Sequence, residues 1–481
     1  MNRGQRAESA PNRKAAYVIA GTLVCAAFCV IPAPAALGQA AALAGSDGAA
    51  AMRILGITGL AILWWLGQVL QDWLVAIVMM LLWVVLGGLP FQTAFLGYTN
   101  TSAWLVAGAF CLSATVSKTG LFQRISLFLI RLFSPTFRGQ VLALLLSGAL
   151  CAPLLPSTTA KAVLGVTIAH NIADAMGYPP NSRSRCGLFL AAFIGFASTS
   201  PAFMSAGISA YLVIGYMPPE AQARMSWLAW FHYTFIWILV LLVGAFLMLQ
   251  LFFAPESGGS VQSSYIRQEY EKLGKMRRPE QIAMVLLASA FLLWFLGAYL
   301  HINAAVAALG IAVLCFASGI LENSDLGTAV PWGLFIFLGC VLNIGNIFAE
   351  AGIDRWLQEL LSALFLHNSS PALFIVSIAL FVIIFRLFLL SQTATISLML
   401  AVLSPVAVSF GISPFIVGFV TLSVQGSWFL FYQNTVFKAA LSCAKGTVAH
   451  RQTVLACAAF EAISIAGSLA SIPLWRSLGL L

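Results

Sequence analysis

Charge is what this chain has least of. Only 8% of its 481 residues are Asp, Glu, Lys or Arg and 61% are hydrophobic, against roughly 25% charged and about half apolar in a soluble domain. With a mean hydropathy of +0.96, that composition excludes a soluble globular protein and leaves a polytopic membrane protein. The nine cysteines contain no Cys-x-x-Cys pair. Most, such as Cys111, Cys151, Cys315, Cys340 and Cys457, lie inside apolar runs, as small buried residues do, rather than as a metal or disulfide framework. The five histidines, His170, His232, His301, His367 and His450, have no ligand spacing. There is no His-Glu-x-x-His, no cluster of carboxylates and no long polar stretch beyond 254–280, so nothing points to a membrane enzyme or sensor, and no cofactor is expected. The net charge of +9 would suggest nucleic acid in a soluble chain. Here the bases fall in short loops between apolar runs, where they act as topology signals and imply no such partner.

What the chain does have is a series of apolar runs of spanning length. Membrane helices are expected at about 15–33, 53–70, 71–89, 102–118, 187–215, 227–253, 281–299, 302–321, 330–349, 412–440 and 452–475, eleven in all. Two further runs, 140–176 and 371–408, are each broken near the middle by a polar cluster and read as re-entrant hairpins. Arg3, Arg6, Arg13 and Lys14 precede the first apolar run, a layout shared with secretory signals, but a first span with a cytoplasmic basic flank suits the later loops better. That orientation puts 118–138, Arg183, Arg185, 256–280, Lys438, Lys445 and Arg451 inside, leaves only bases such as Arg53, Arg224 and Arg355 outside, and leaves the C-terminus periplasmic in a bacterial cytoplasmic membrane.

The halves repeat. Trp104 leads into Lys118-Thr119-Gly120-Leu121, and Ser157 lies 37 residues beyond Gly120; Trp332 leads into Glu350-Ala351-Gly352-Ile353, and Ser391 lies 39 beyond Gly352. Arg124, Arg131 and Arg138 follow the first glycine, whereas Asp354 and Glu359 outweigh Arg355 after the second. Equivalent amphipathic elements of opposite charge bias belong on opposite faces, so an inverted repeat is expected. The divisions are then 1–51 (N-terminus, first helix and outer loop), 52–253 (first repeat), 254–280 (cytoplasmic linker) and 281–481 (second repeat).

The two breaks, Pro156-Ser157-Thr158-Thr159 and Ser391-Gln392-Thr393-Ala394-Thr395, are the candidate site. Non-helical backbone at membrane depth is tolerated only where it is buried in protein or lines a cavity. Ser and Thr suit helix N-caps, and helix N-termini attract anions through free N–H groups and the dipole. Two opposed tips would cradle a small anion with Ser157, Thr158, Thr159, Ser391, Gln392 and Thr393; plain capping between packed helices is the bland alternative. Lys161 and Arg386, costly at membrane depth, are candidates for pairing with substrate or for structural bonds. A second broken helix is expected in each half, at Ala197-Ser198-Thr199-Ser200-Pro201 with Ser205-Ala206-Gly207, and at Gln425-Gly426-Ser427 with Gln433-Asn434-Thr435. Free carbonyls and hydroxyls there could hold sodium, the expected coupling ion, with Ser157, Ser198, Thr199, Ser200, Ser205, Ser391, Thr393, Gln433 and Asn434 as ligands; Asn434 and Thr435 are also substrate candidates. A polar packing seam is the alternative. Glu461, inside the last span, is expected either to pair with Lys161 or Arg386 or to carry a proton, and Asp72, at a span boundary, to be interfacial.

These residues resemble the divalent anion:sodium symporter family of the ion transporter superfamily. The resemblance runs through Gly97-Tyr98-Thr99-Asn100 with Trp104, Lys118-Thr119-Gly120-Leu121, Pro156-Ser157-Thr158-Thr159-Ala160-Lys161-Ala162, the 269–278 loop and Ser391-Gln392-Thr393-Ala394, nearly the whole chain. Thr199-Ser200 through Phe203-Met204-Ser205-Ala206 is similar to the branch of bacterial citrate/succinate and plastid 2-oxoglutarate/malate exchangers. The resemblance implies two Ser-Asn-Thr tips that bind a di- or tricarboxylate, or sulfate, beside sodium, in a homodimer whose mobile units move like elevators. Thr158 and Gln392 stand where the family has its two Asn residues. The expected function is secondary transport of a C4 or C5 dicarboxylate with sodium. The alternatives are an anion:anion exchanger, a carrier of sulfate or sulfonate-like anions, proton coupling, and a cation:proton antiporter relying on Glu461.

Overall fold

The computed structural model describes residues 11–255, 264–300, 302–362, 370–389 and 391–481. Arg3 and Arg6 of the basic flank, part of the linker and His301 and His367 lie outside the described residues. Those described are helical and contain no strand. The principal helices are α1 (Pro11–Val30), α2 (Gly48–Leu66), α3 (Asp72–Val85), α4 (Thr101–Thr119), α5 (Leu121–Ile130), α6 (Phe137–Cys151), α7 (Thr158–Ala175), α8 (Arg183–Phe193), α9 (Ser209–Gly215) and α10 (Trp227–Phe253). After the linker come α11 (Arg278–Leu300), α12 (Ala304–Ala317), α13 (Trp332–Glu350), α14 (Ile353–Ser362), α15 (Pro371–Phe385), α16 (Gln392–Ser409), α17 (Pro414–Val424), α18 (Thr435–Cys443) and α19 (His450–Ala470).

Among the described residues seven helices are long and apolar enough to cross a membrane, or nine if each of two bent pairs counts as one span. Two of the seven, Phe137–Leu154 and Gln392–Ser409, are arms of the expected hairpins, so with the bent pairs seven of the eleven expected spans are matched and four are not. The expected spans at 71–89 and 302–321 are shorter helices, α3 and α12, and those at 187–215 and 412–440 are divided at polar breaks into α8 and α9, and α17 and α18. The chain is a multi-pass membrane protein.

The internal repeat is visible in backbone and side chains alike. Gly120 and Gly352 both adopt left-handed φ, +78° and +69°, the conformation that ends a helix at little cost only for glycine. At the first, the chain bends by 71° between α4 and α5. The indole Nε1 of Trp104 donates to the Tyr98 carbonyl at 2.9 Å and that of Trp332 to the Leu326 carbonyl at 3.2 Å, each six residues upstream. Each half then runs amphipathic helix, hairpin, broken helix, long helix.

Contacts give the orientation. Trp104 near the start of α4 packs edge-on against Phe335 near the start of α13 at 5.3 Å, while the end of α4 reaches back to the chain ahead of α13, so the two helices run in opposite directions and the repeat is inverted. Lys118 at the end of α4 pairs with Asp325 just before α13 at 2.7 Å, and Arg124 on α5 bonds Glu280 and the carbonyls of Leu273 and Gly274 in the linker. On the opposite face Ser413 N donates to the Leu480 carbonyl at 2.9 Å.

The packing falls into two groups. A framework packs α1 on α2, α2 on α3, α3 on α13, and α4 on α11 and α12; the hairpin body packs α6 and α7 on α8, α15 and α16 on α17, and α10 on α19; α9 against α4 and α13, and α14 against α13 and α16, join the two. Small residues let the hairpin in. A Cβ on Gly148 of α6 would lie 2.3 Å from the carbonyl carbon of Gly195, just past α8, so the two backbones touch directly, as small-residue contacts permit between membrane helices.

Candidate functional site

Both hairpin tips are capped helix starts. Ser157 is the N-cap of α7 and its Oγ accepts from Ala160 N at 3.4 Å; Ser391 is the N-cap of α16 and its Oγ accepts from Ala394 N at 3.2 Å. Serine is favoured here because its oxygen satisfies one of the N–H groups that the first turn leaves free. In the first tip the chain reaches Ser157 through a tight turn, Ala152–Leu154, that carries Pro153.

The tips converge. Thr158 and Gln392, the residues just after the two caps, line one cavity together with Ser198, Ser200, Gln425 and Asn434 from the two broken helices. About 80 Å³ is open to the centres of water molecules, where a single water needs about 10–15 Å³, so several waters or a small solute fit. Phe193 and Phe460 close one side. Phe193 is held by Trp428 and Phe437, with ring centroids 5.2 and 4.9 Å away, and these two rings stack at 5.3 Å. Such aromatic packing fixes the wall. No charged side chain is among the lining residues, so attraction for an anion at the wall itself comes from helix N-termini, amides and hydroxyls.

Two fully buried cations lie one layer behind. Lys161 and Arg386 are both 0% exposed. The Lys161 ammonium donates to the Ala152 carbonyl (3.0 Å), Ser200 Oγ (3.0 Å) and the Ala206 carbonyl (2.7 Å), which uses its three protons. The Arg386 guanidinium donates to the carbonyls of Leu389 (2.5 Å), Gln425 (3.0 Å) and Gln433 (2.6 Å). Each cation therefore joins its own hairpin to the broken helix of the same half. Neither reaches Glu461, which corrects the expected ion pair: Glu461 is buried, and neither carboxylate oxygen has a hydrogen-bond partner among the described residues.

The remaining expected residues divide clearly. Asn434 caps α18, accepting from Phe437 N and donating to the Gly426 carbonyl at 2.5 Å, and it faces the cavity. Gln433 turns inward to Ser427 at 2.9 Å. Thr199 Oγ1 donates to the Gly195 carbonyl at 2.6 Å, and Ser205 bridges the Pro153 carbonyl and Trp227. Thr159, Thr393 and Thr435 do not line the cavity; Thr159 and Thr435 are exposed. Of the oxygens expected to be free for sodium, most therefore bond other protein groups. Ser209 and Ser423 line the cavity without having been singled out in the sequence, because a lone serine in an apolar run carries no signal. Asp72, at a span boundary in the sequence, accepts from Ser391 Oγ at 2.7 Å.

Two inverted, re-entrant hairpins whose helix starts meet over a polar cavity define a transporter architecture. The chain belongs to the family described as the sodium:sulfate symporter transmembrane region, whose model matches residues 12–481. It is 26% identical over 305 residues to the L-tartrate/succinate antiporter of Escherichia coli K12, covering 62% of each chain. It is 27% identical over 278 residues to the chloroplastic dicarboxylate transporter 1 of Spinacia oleracea, covering 56% of this chain and 49% of that one. The chain thus aligns with about half to three fifths of the length of these curated relatives. Among solved structures it resembles the YdaH transporter of Alcanivorax borkumensis, with a TM-score of 0.58 and 15% identity over 81% of this chain and 88% of that one. It also resembles MtrF of Neisseria gonorrhoeae, with a TM-score of 0.55 and 13% identity over 96% and 95%. At those identities the likeness concerns the fold.

Proposed function

We propose that this protein is a secondary carrier of small dicarboxylates of four or five carbons across a bacterial cytoplasmic membrane. The observation that carries the reading is the meeting of Thr158 and Gln392, each in the first turn of a capped helix, on one cavity of small-solute size. Carboxylates of the substrate would lie against the N-termini of α7 and α16, with Thr158, Gln392 and Asn434 as hydrogen-bond donors. The substrate moves as the hairpin body shifts against the framework in an elevator-like step, within a homodimer. The basic face of the protein, with Lys118, Arg124 and the linker, is cytoplasmic by the positive-inside rule.

Coupling to other charges follows from physics. Moving one elementary charge through 100 mV costs about 2.3 kcal/mol, so a dianion enters an inside-negative cell only with cations or in exchange for another anion. Sodium is the coupling ion expected from the sequence. Anion exchange is a second reading, favoured by a specific observation: the carbonyls at the breaks, which a sodium ion would need, accept instead from Lys161 and Arg386. Two resident cations supply positive charge without a sodium ion. The names of the relatives, an L-tartrate/succinate antiporter and a dicarboxylate transporter, support the substrate class.

The test is flux in purified proteoliposomes loaded with labelled succinate, 2-oxoglutarate, tartrate or sulfate, under sodium, proton or counter-anion gradients. Dicarboxylate flux supports the reading, and its sodium dependence or counter-anion dependence decides the coupling. Flux of sulfate alone, or of none of the panel, overturns the substrate class.

A further inference from the structure

The two tips differ in one contact. Ser157 has no carboxylate partner among the described residues, whereas Ser391 Oγ donates to Asp72 Oδ2 at 2.7 Å and lies 3.1 Å from Thr393 Oγ1. Asp72 belongs to the other body. It is the first residue of α3, which packs on α2 and α13 in the framework, and it is 319 residues from Ser391 in sequence. Asp72 lies at the end of α3 close to the start of α1, as the side chain of Tyr17 against nearby Gly67 indicates.

Donor arithmetic makes the contact exclusive. A serine hydroxyl has one proton. While Ser391 gives it to Asp72, it has none for a substrate, and Thr393, whose hydroxyl also bonds Asp72, shares the same carboxylate. Asp72 also places a carboxylate at the N-terminus of α16, where the free N–H groups and the helix dipole favour one negative charge. A second carboxylate, brought by a substrate to Gln392 on the cavity side of the same turn, competes for the same field and meets like-charge repulsion.

We propose that Asp72 is a resident anion that latches the unloaded second hairpin to the framework, and that a substrate carboxylate releases it. The inference rests on the carrier reading above. An empty hairpin body is held where it is and a loaded one is free to shift, so flux in one direction requires flux in the other. Asp72 is thus a positioning residue. It touches the tip and not the cavity wall, and by competing with the substrate for the start of α16 it weakens binding as well as holding back the return of the empty carrier.

The experiment compares two fluxes from proteoliposomes loaded with labelled succinate: efflux into buffer without substrate, and exchange against external succinate. Asp72→Asn removes the charge and keeps the shape, and Asp72→Glu keeps the charge. The latch predicts that Asp72→Asn raises unaccompanied efflux on the order of tenfold, the factor of one charge-assisted hydrogen bond, while exchange persists. Asp72→Glu should keep efflux low. Asp72→Asn with exchange intact and efflux unchanged overturns the latch. Loss of both fluxes in Asp72→Asn while Asp72→Glu retains them also overturns it, making Asp72 necessary to the loaded carrier. Loss of both in either variant, with unchanged chromatographic profile, does the same. If the unaltered protein moves no succinate by either route, the carrier reading falls and takes the latch with it.

Discussion

The two halves solve the same problem with different cations. In the first, a lysine ties two carbonyls and a hydroxyl between hairpin and broken helix; in the second, an arginine ties three carbonyls. The lysine is a compact charge with three rotatable donors, and the arginine a planar fork with five. Their common position teaches that a polar break at membrane depth needs its exposed carbonyls satisfied from within the protein. Their difference predicts unequal tolerance to substitution. The halves differ again at the tips, where, among the described residues, the capping serine of the second and not of the first is bonded to a framework carboxylate.

The largest effects are expected where these ties are cut. Lys161→Met leaves two buried carbonyls, and Arg386→Met three, without their donor, at about 1–3 kcal/mol apiece. Both variants should lose several kcal/mol of stability and all transport, measured by thermal unfolding in detergent and by proteoliposome flux. Arg386→Lys should recover less than Lys161→Arg, because a single ammonium cannot reproduce a fork that reaches three carbonyls. Near-native stability of Arg386→Met would break the comparison.

Next come the cavity amide and hydroxyl. Thr158→Ala and Gln392→Ala each remove one donor to a charged ligand, worth about 1.5–3 kcal/mol, so KM for the dicarboxylate should rise roughly 10- to 100-fold in each. Similar losses from both tips would sharpen the view that the halves share the anion. A loss confined to one tip would make the site one-sided.

Much of this was legible in the sequence because it is local. An N-cap is a property of Ser157 or Ser391 and the turn that follows, and a left-handed glycine is a property of Gly120 or Gly352, so the hairpins, the repeat and the cavity-facing Thr158 and Gln392 follow from short patterns. The rest depends on contacts far apart in the chain. Nothing near Lys161 announces the Ala206 carbonyl, 45 residues on, or near Asp72 a serine 319 residues away. Lone ionisable residues in apolar runs signalled that something was there and not what. For that reason Glu461, expected either to pair with a cation or to carry a proton, proved to have no cation partner among the described residues.

A smaller effect is expected at Gly426, which lines the cavity and has nothing within 4 Å of the place a Cβ would take. Gly426→Ala should fold normally and raise KM modestly by narrowing the cavity, more for five-carbon than for four-carbon dicarboxylates. Equal rises for both would mean that the second break does not set the length of the substrate. The smallest effect is expected at the exposed Lys118–Asp325 pair. The lysine beside it holds the Asp325 carboxyl below its ordinary range, so what the pair contributes is present at neutral pH and is lost as pH falls through that lowered value. Lys118→Ala should leave flux and thermal stability at neutral pH unchanged, since screened surface pairs contribute little.

The most direct measurement of the shared site is a cryo-electron-microscopy map of the protein in lipid nanodiscs, saturated with the dicarboxylate that the flux panel selects. The account predicts ligand density between Thr158 and Gln392, against the first turns of α7 and α16. Density elsewhere, or tips too far apart for one small anion to touch both, would contradict it.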